Sequence, residues 1–172
     1  GGRVFESVAV SSVASADTRA DESSSSNAFG VGYDPNNPFL RIMSGHAKAH
    51  MLLETEHAVA FLDTNPMTRG HCLLIPKAHV ATVLDLDAAG AAAVLRELPR
   101  LARALAAATG CVGMHVMQNN GALAMQTVFH LHFHLIPRYG GETLSKLSAE
   151  RRPLDASDAE DLAAKVRTRL AL

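Results

Sequence analysis

The sequence predicts an α+β fold carrying an antiparallel sheet, and three observations predict it. Short apolar runs of strand length recur between clusters of turn formers, an Ala/Leu-rich stretch of helix length lies among them, and a capped amphipathic pattern follows near the C-terminal end. Residues 1–37 read as a tail or disordered segment, because SSVASADTRADESSSSN has little to bury against its ordering entropy. The folded domain is placed at residues 38–172. Residues 50–53 and 58–62 read as two strands around a tight turn that holds Glu54, Glu56 and His57. Residues 63–70, DTNPMTRG, are a loop dense in turn formers. Residues 71–75 form a strand that Pro76 ends.

Asp87 can cap a long helix running to about residue 108, with Gly110 as its stop and Pro99 dividing it. Residues 112–118 read as a strand, 119–126 as a loop and 128–136 as the clearest strand of all. Ser157 with Glu160 has the capping-box pattern, and Leu162, Val166 and Leu170 line one face of a last helix.

Composition narrows the classes of function. Sixteen basic and 17 acidic residues nearly cancel, which argues against a nucleic-acid binder. No apolar run has the length of a membrane span, and the N-terminal apolar stretch, broken by Ser and Glu, does not read as a signal peptide. Two distant cysteines, Cys72 and Cys111, suggest neither a disulfide framework nor a thiolate zinc site. The expectation is an intracellular, cytoplasmic protein with no nucleic-acid or membrane partner.

The segment HLHFHLIPR, from His130 to Arg138, is the most informative. On a strand His130, His132 and His134 would share one face, roughly 6–7 Å apart, with Phe129, Leu131, Phe133 and Leu135 on the other. Three imidazoles in a row are costly to bury without polar partners. Such a row is a metal site, a catalytic row or a polar stripe. Catalysis is chemically attractive: a neutral imidazole is a good nucleophile towards phosphorus, and flanking imidazoles can orient it and supply protons.

These residues resemble the histidine triad (HIT) family of nucleotide hydrolases, in its adenosine phosphoramidase and bacterial-type branch. The run His130-Leu131-His132-Phe133-His134-Leu135-Ile136 matches the family's His-x-His-x-His motif followed by two apolar residues. AFLDTNPMTRGHCLLIPKAH resembles its N-terminal block, and Gln118-Asn119-Asn120-Gly121 with Gln126-Thr127 resembles the loop before the triad. The resemblance runs from about Phe39 to Arg138 and implies a HIT-like fold with a long central helix, a C-terminal helical extension and a homodimer.

It also implies roles. His132 would be the nucleophile, His134 would contact the α-phosphate and assist the leaving group, His130 would orient His132, and His79 would complete the polar cluster. Asp63 would hold the ribose hydroxyls, for which an ionised carboxylate is a suitable double acceptor. Asn119, Gln126 and Thr127 would lie near ribose and phosphate, and Phe39, Ile42 and Phe61 would line a purine pocket. The implied activity is hydrolysis of AMP conjugates, such as adenosine 5′-phosphoramidates and aminoacyl adenylates, through a nucleotidyl-histidine. The implied partner is a purine mononucleotide or its conjugate, with no cofactor. The third histidine favours hydrolysis over transfer, because transferases of the family carry glutamine there.

Two departures stand out. Asn37-Pro38-Phe39-Leu40 occupies the place of a zinc-binding Cys pair found in many bacterial relatives, so no structural zinc is expected. Met125 stands where relatives often have glycine, which puts the loop's conformation in question.

Plainer readings exist for several residues. Asp63 can be a turn acid beside Asn65, Asn119 part of an Asn-Asn-Gly turn, and Phe39, Ile42 and Phe61 ordinary core. His79 can simply open the next segment. His46, His50, His57, His71 and His115 read as surface or structural. Rival functions are a dinucleoside polyphosphate hydrolase, a nucleotide-binding regulator with incidental turnover, and a metal-binding strand using the three histidines. A DNA-end-processing relative is disfavoured by the absence of a zinc-finger pattern and of basic excess.

Overall fold

The structure is a computed structural model that describes residues 27–171. Much of the expected tail, residues 1–26, therefore lies outside the described residues. Five strands form one antiparallel sheet: β1 (Met51–Glu54), β2 (Ala58–Leu62), β3 (Cys72–Pro76), β4 (Gly113–Gln118) and β5 (Phe133–Arg138), in the order β1-β2-β3-β5-β4. Helix α1 (Pro38–Met43) precedes the sheet. Helices α2 (Ala88–Leu95) and α3 (Leu98–Thr109) join β3 to β4, and α4 (Leu144–Ala149) and α5 (Ala156–Leu170) follow β5.

The two faces of the sheet bury different things. Because alternate residues of a strand face opposite ways, Ala60, Leu62, Cys72, Leu74, Phe133 and Leu135 meet Leu101, Leu105, Leu162 and Val166 of α3 and α5 in the main core. Val59, Phe61, Leu73 and Ile75 point to the other face and meet Phe39 of α1 in a smaller core. Both faces of β2 and β3 are thus covered, and all ten of their residues are buried.

Local chemistry places the helices. The Asp87 side chain accepts the Gly90 N–H at the start of α2, and Gly110 ends α3 at φ +68°, as the sequence predicts. Pro99 sits in the first turn of α3, where its missing N–H costs nothing, so the long helix divides before it. The last helix is capped differently from expectation. Its N-cap is Asp155, which accepts the N–H groups of Ser157 and Asp158; Ser157 lies inside the first turn and donates its hydroxyl to the same carboxylate. The apolar face of α5 is as read, with Leu162 and Val166 fully buried. Helix α1 and helix α4 carry no periodic signal long enough to read in advance.

Residues 27–37, compositionally part of the tail, are hydrogen-bonded to the body. Asn27 donates to Thr82 Oγ1 at 2.8 Å, and the Asp34 N–H points to the Phe129 carbonyl at 3.5 Å. Among the described residues no helix is long and apolar enough to cross a membrane.

Candidate active site

The strand carrying the histidines is shorter than predicted. It begins at Phe133, so His134 alone of the three lies on it, while His130 and His132 belong to the irregular approach. The reason is a contact off the sheet: Leu131 N–H bonds to Val80 O at 2.8 Å, so the chain is diverted before it joins β3. The three rings are therefore not an evenly spaced row. His132 and His134 meet edge to face with centroids 4.8 Å apart. His130 turns away beneath them and is fully buried.

Each ring is held by partners that fix its proton. His130 Nε2 lies 2.9 Å from the Pro76 carbonyl, which can only accept, so Nε2 carries the hydrogen. His132 Nδ1 lies 2.7 Å from the His130 carbonyl and by the same logic donates to it. This leaves His132 Nε2 with its lone pair free. Burial lowers the His132 pKa and keeps the ring neutral.

His71, read from the sequence as surface or structural, is a fully buried member of the cluster. The Met67 N–H points at its Nδ1 at 3.1 Å, so Nε2 holds the proton and donates to His134 Nδ1 at 3.0 Å. His134 in turn keeps an Nε2–H to offer outward. Burial pushes His71 down to about 4 and His134 to about 3, the latter also disfavoured by His132 and His71 nearby. The β3–β5 register, with Leu73 opposite His134, puts residue 71 on the face of His134. Gly70 makes that placement possible. It turns at φ +83°, and a Cβ there would come within 2.8 Å of Thr109.

Two clefts meet at His132 and His134. The first, about 470 Å³, is lined by Phe39, Ile42, Phe61, Asp63, Leu73 and Val128, among others. Asp63 fulfils its turn role too, since Oδ1 accepts the Asn65 N–H at 2.8 Å, while Oδ2 lies 3.5 Å from His71 Nδ1. The second cleft, about 660 Å³, has walls of Met67, Met117, Met125, Leu144 and Ala149, with Asn119 and two serines. Thr127 and Arg151 line both. Arg151 supplies a cation at the junction that the sequence reading did not find, because it sits between α4 and α5, far from every motif.

The remaining predicted residues stand elsewhere. Asn119 lies in the second cleft rather than beside Asp63. Gln126 lines neither; its buried side chain braces the loop, accepting from Gly121 N–H and donating to the Ala81 and Val128 carbonyls. His79 also lines neither cleft. It stacks on Tyr33, 4.9 Å between centroids, behind His130. Met125 adopts φ +67°, a left-handed backbone that costs a non-glycine residue about 1–2 kcal/mol, so the loop keeps a glycine-like turn in spite of the substitution.

Metal ligation is constrained by these bonds. Among the described residues Asp63, His71 and His134 offer three ligand atoms within 4.8 Å of one another, but the two imidazole nitrogens are already joined by a hydrogen bond. His130 cannot ligate alongside His132 and His134, because both of its ring nitrogens are engaged, one by Pro76 and the other by Tyr33.

Comparison with known proteins shows which family the chain resembles. A family model described as HIT domain matches residues 44–141. "Protein hit" of Bacillus subtilis is 39% identical over 102 residues, which span 59% of this chain and 70% of that protein. The adenosine 5′-monophosphoramidase hnt1 of Schizosaccharomyces pombe is 38% identical over 100 residues, 58% of this chain and 72% of that protein. A crystal structure of a Hit-like protein from Bartonella henselae superposes with a TM-score of 0.71 at 33% identity, covering 80% of this chain and 99% of that one.

Proposed function

On the premise that this chain belongs to the HIT domain family, we propose that it is a nucleotide hydrolase that cleaves AMP conjugates through a nucleotidyl-histidine on His132. The observation that carries the proposal is the directed hydrogen bond from His132 Nδ1 to the His130 carbonyl, which leaves Nε2 as a neutral nucleophile where two clefts meet. The nucleoside occupies the first cleft, with its base against Phe39, Ile42 and Phe61 and its ribose at Asp63. The leaving group occupies the second.

In the first step the Nε2 lone pair of His132 bonds to the α-phosphorus and the bond from phosphorus to the leaving group breaks. The leaving atom, held by the hydrogen bond from His134 Nε2–H, departs with a proton taken from solvent water. In the second step water attacks phosphorus, its proton passes to solvent, and the P–N bond breaks to release AMP and neutral His132. Arg151 and Thr127, which line both clefts, would take the phosphate charge. The walls of Met67, Met117, Met125 and Leu144 suit an apolar leaving group better than a second polyphosphate. The acting unit is a homodimer, which the unpaired edge of β4, with Val116 about half exposed and Val112 more so, is suited to form.

The test is His132→Ala. Turnover of adenosine 5′-phosphoramidate should fall about 10⁴-fold or more, while AMP still raises the melting temperature of the variant. Persistent turnover would remove His132 as nucleophile, and an unchanged melting curve at saturating AMP in both proteins would remove the nucleotide cleft. Wild-type protein that binds AMP without turning over any conjugate would instead support the regulatory reading.

A further inference from the structure

Tyr33 lies outside the stretch that matches the HIT domain, in the segment before α1. Its hydroxyl is 3.0 Å from His130 Nδ1 and 3.0 Å from Asn37 Nδ2. The direction of both bonds follows from the partners. Asn37 Oδ1 accepts the Leu40 N–H as the cap of α1, so Nδ2 faces Tyr33 and can only donate to it. His130 Nε2 holds that ring's proton against Pro76, so Nδ1 is bare and must accept. The tyrosine O–H therefore donates to His130. Burial raises the Tyr33 pKa, which keeps that donor protonated.

We propose that Tyr33 is a positioning residue for the nucleophile: held by Asn37, it donates to the His130 ring and so fixes the residue whose backbone carbonyl accepts from His132 Nδ1. The arrangement has no slack. His79 stacks on the Tyr33 ring at an interplanar angle of 7°, and the adjoining Asp34 N–H points to the Phe129 carbonyl, one residue before His130. His130 is thus gripped at Nδ1 by Tyr33, at Nε2 by Pro76 and at its flank by residue 34. The carbonyl of this same residue sets the tautomer of His132. Without the tyrosine hydroxyl, His130 Nδ1 is a buried acceptor with no partner, and the ring gains by turning to find one. Residues 129–132 lie outside the β5 ladder, so that carbonyl is held by no ladder bond; its peptide is fixed by the Leu131 N–H to Val80 bond on one side and by the His130 ring on the other. The Asn37 side chain, standing where many bacterial relatives have a cysteine, thereby serves both the helix and the triad.

The experiment is Tyr33→Phe in the full chain, read in two ways. Imidazole ¹⁵N spectra should show His130 and His132 as single defined tautomers in the wild type. In the variant the His130 Nδ1 resonance should move away from the position of a hydrogen-bonded acceptor, and the His132 tautomer should become mixed. Turnover of adenosine 5′-phosphoramidate should fall about 10- to 100-fold in kcat, with KM within about twofold, because the nucleoside cleft does not include Tyr33. Incorporating 3-fluorotyrosine at position 33 keeps the hydroxyl and should restore kcat, which separates the hydrogen bond from loss of folding. Unchanged ¹⁵N spectra, unchanged kcat, or no rescue by fluorotyrosine would overturn the proposal. The inference rests on the hydrolase reading only through kcat. If the wild type turns over no conjugate, that reading fails and the spectra alone decide the role of Tyr33.

Discussion

The two faces of the sheet are both buried, yet they are built on different principles. The face under α3 and α5 is apolar and made mostly of Leu, Val and Ala, where cohesion comes from area and close packing. The face under α1 holds four imidazoles, three of them buried, and its order comes from directed hydrogen bonds whose donors and acceptors leave no choice of tautomer. The comparison teaches that one sheet can separate stability from reactivity. If the proposed function holds, a methyl group lost from the first face should leave the chemistry intact, while a ring lost from the second should cost chemistry before fold.

The sharpest way to break that contrast is His71→Ala. It removes the donor to His134 Nδ1, and kcat for an AMP phosphoramidate should fall by about 10²-fold or more. An unchanged kcat would show that His134 needs no relay. On the other face Leu105→Ala, at a fully buried position of α3, should cost about 2–5 kcal/mol in denaturant unfolding and leave kcat/KM of the folded fraction unchanged. A large loss of kcat/KM there would join what the comparison separates.

Between pH 7 and pH 5 acid should act on the imidazole face. His71 and His130, held at about 4, and His134, held at about 3, lie below their unfolded value near 6.5. The unfolded chain therefore binds more protons between these limits. The stability from keeping each ring neutral is complete above about pH 6.5 and is lost as pH falls towards the folded values. The expected loss is about 1.4 kcal/mol per pH unit for each ring, checked by denaturant titration at pH 7 and pH 5. A flat profile would mean that these rings are not kept neutral by the fold. The smallest effect belongs to the exposed bidentate pair of Arg69 and Asp158, which is on neither face. Arg69→Ala should cost about 1 kcal/mol or less, and its melting temperature is the check.

Much of the fold could be read in advance where one residue type dominates a local choice. Asp87, Pro99 and Gly110 set the bounds of α2 and α3 because capping, the missing proline N–H and left-handed backbone are properties of single residues. Ser157 misled for the opposite reason. Two capping side chains compete within three residues, and the longer reach of Asp155 to two N–H groups wins. The triad was legible as a row of alternating histidines, but its division into one strand residue and two approach residues was not, because a bond from Leu131 to Val80 decides it.

The sequence by itself determined where imidazole is concentrated, since no other five-residue stretch carries three histidines. It also determined the order of the five strands and of α2, α3 and α5, which periodicity and turn chemistry record locally. Tertiary structure alone decided that His71 rather than His79 joins His134, that Arg151 stands between two clefts, and that Tyr33 backs His130. The physical reason is that these are pairings across 63, 17 or more, and 97 positions of chain. No local rule specifies which distant side chain a donor will find; sheet register and helix packing do.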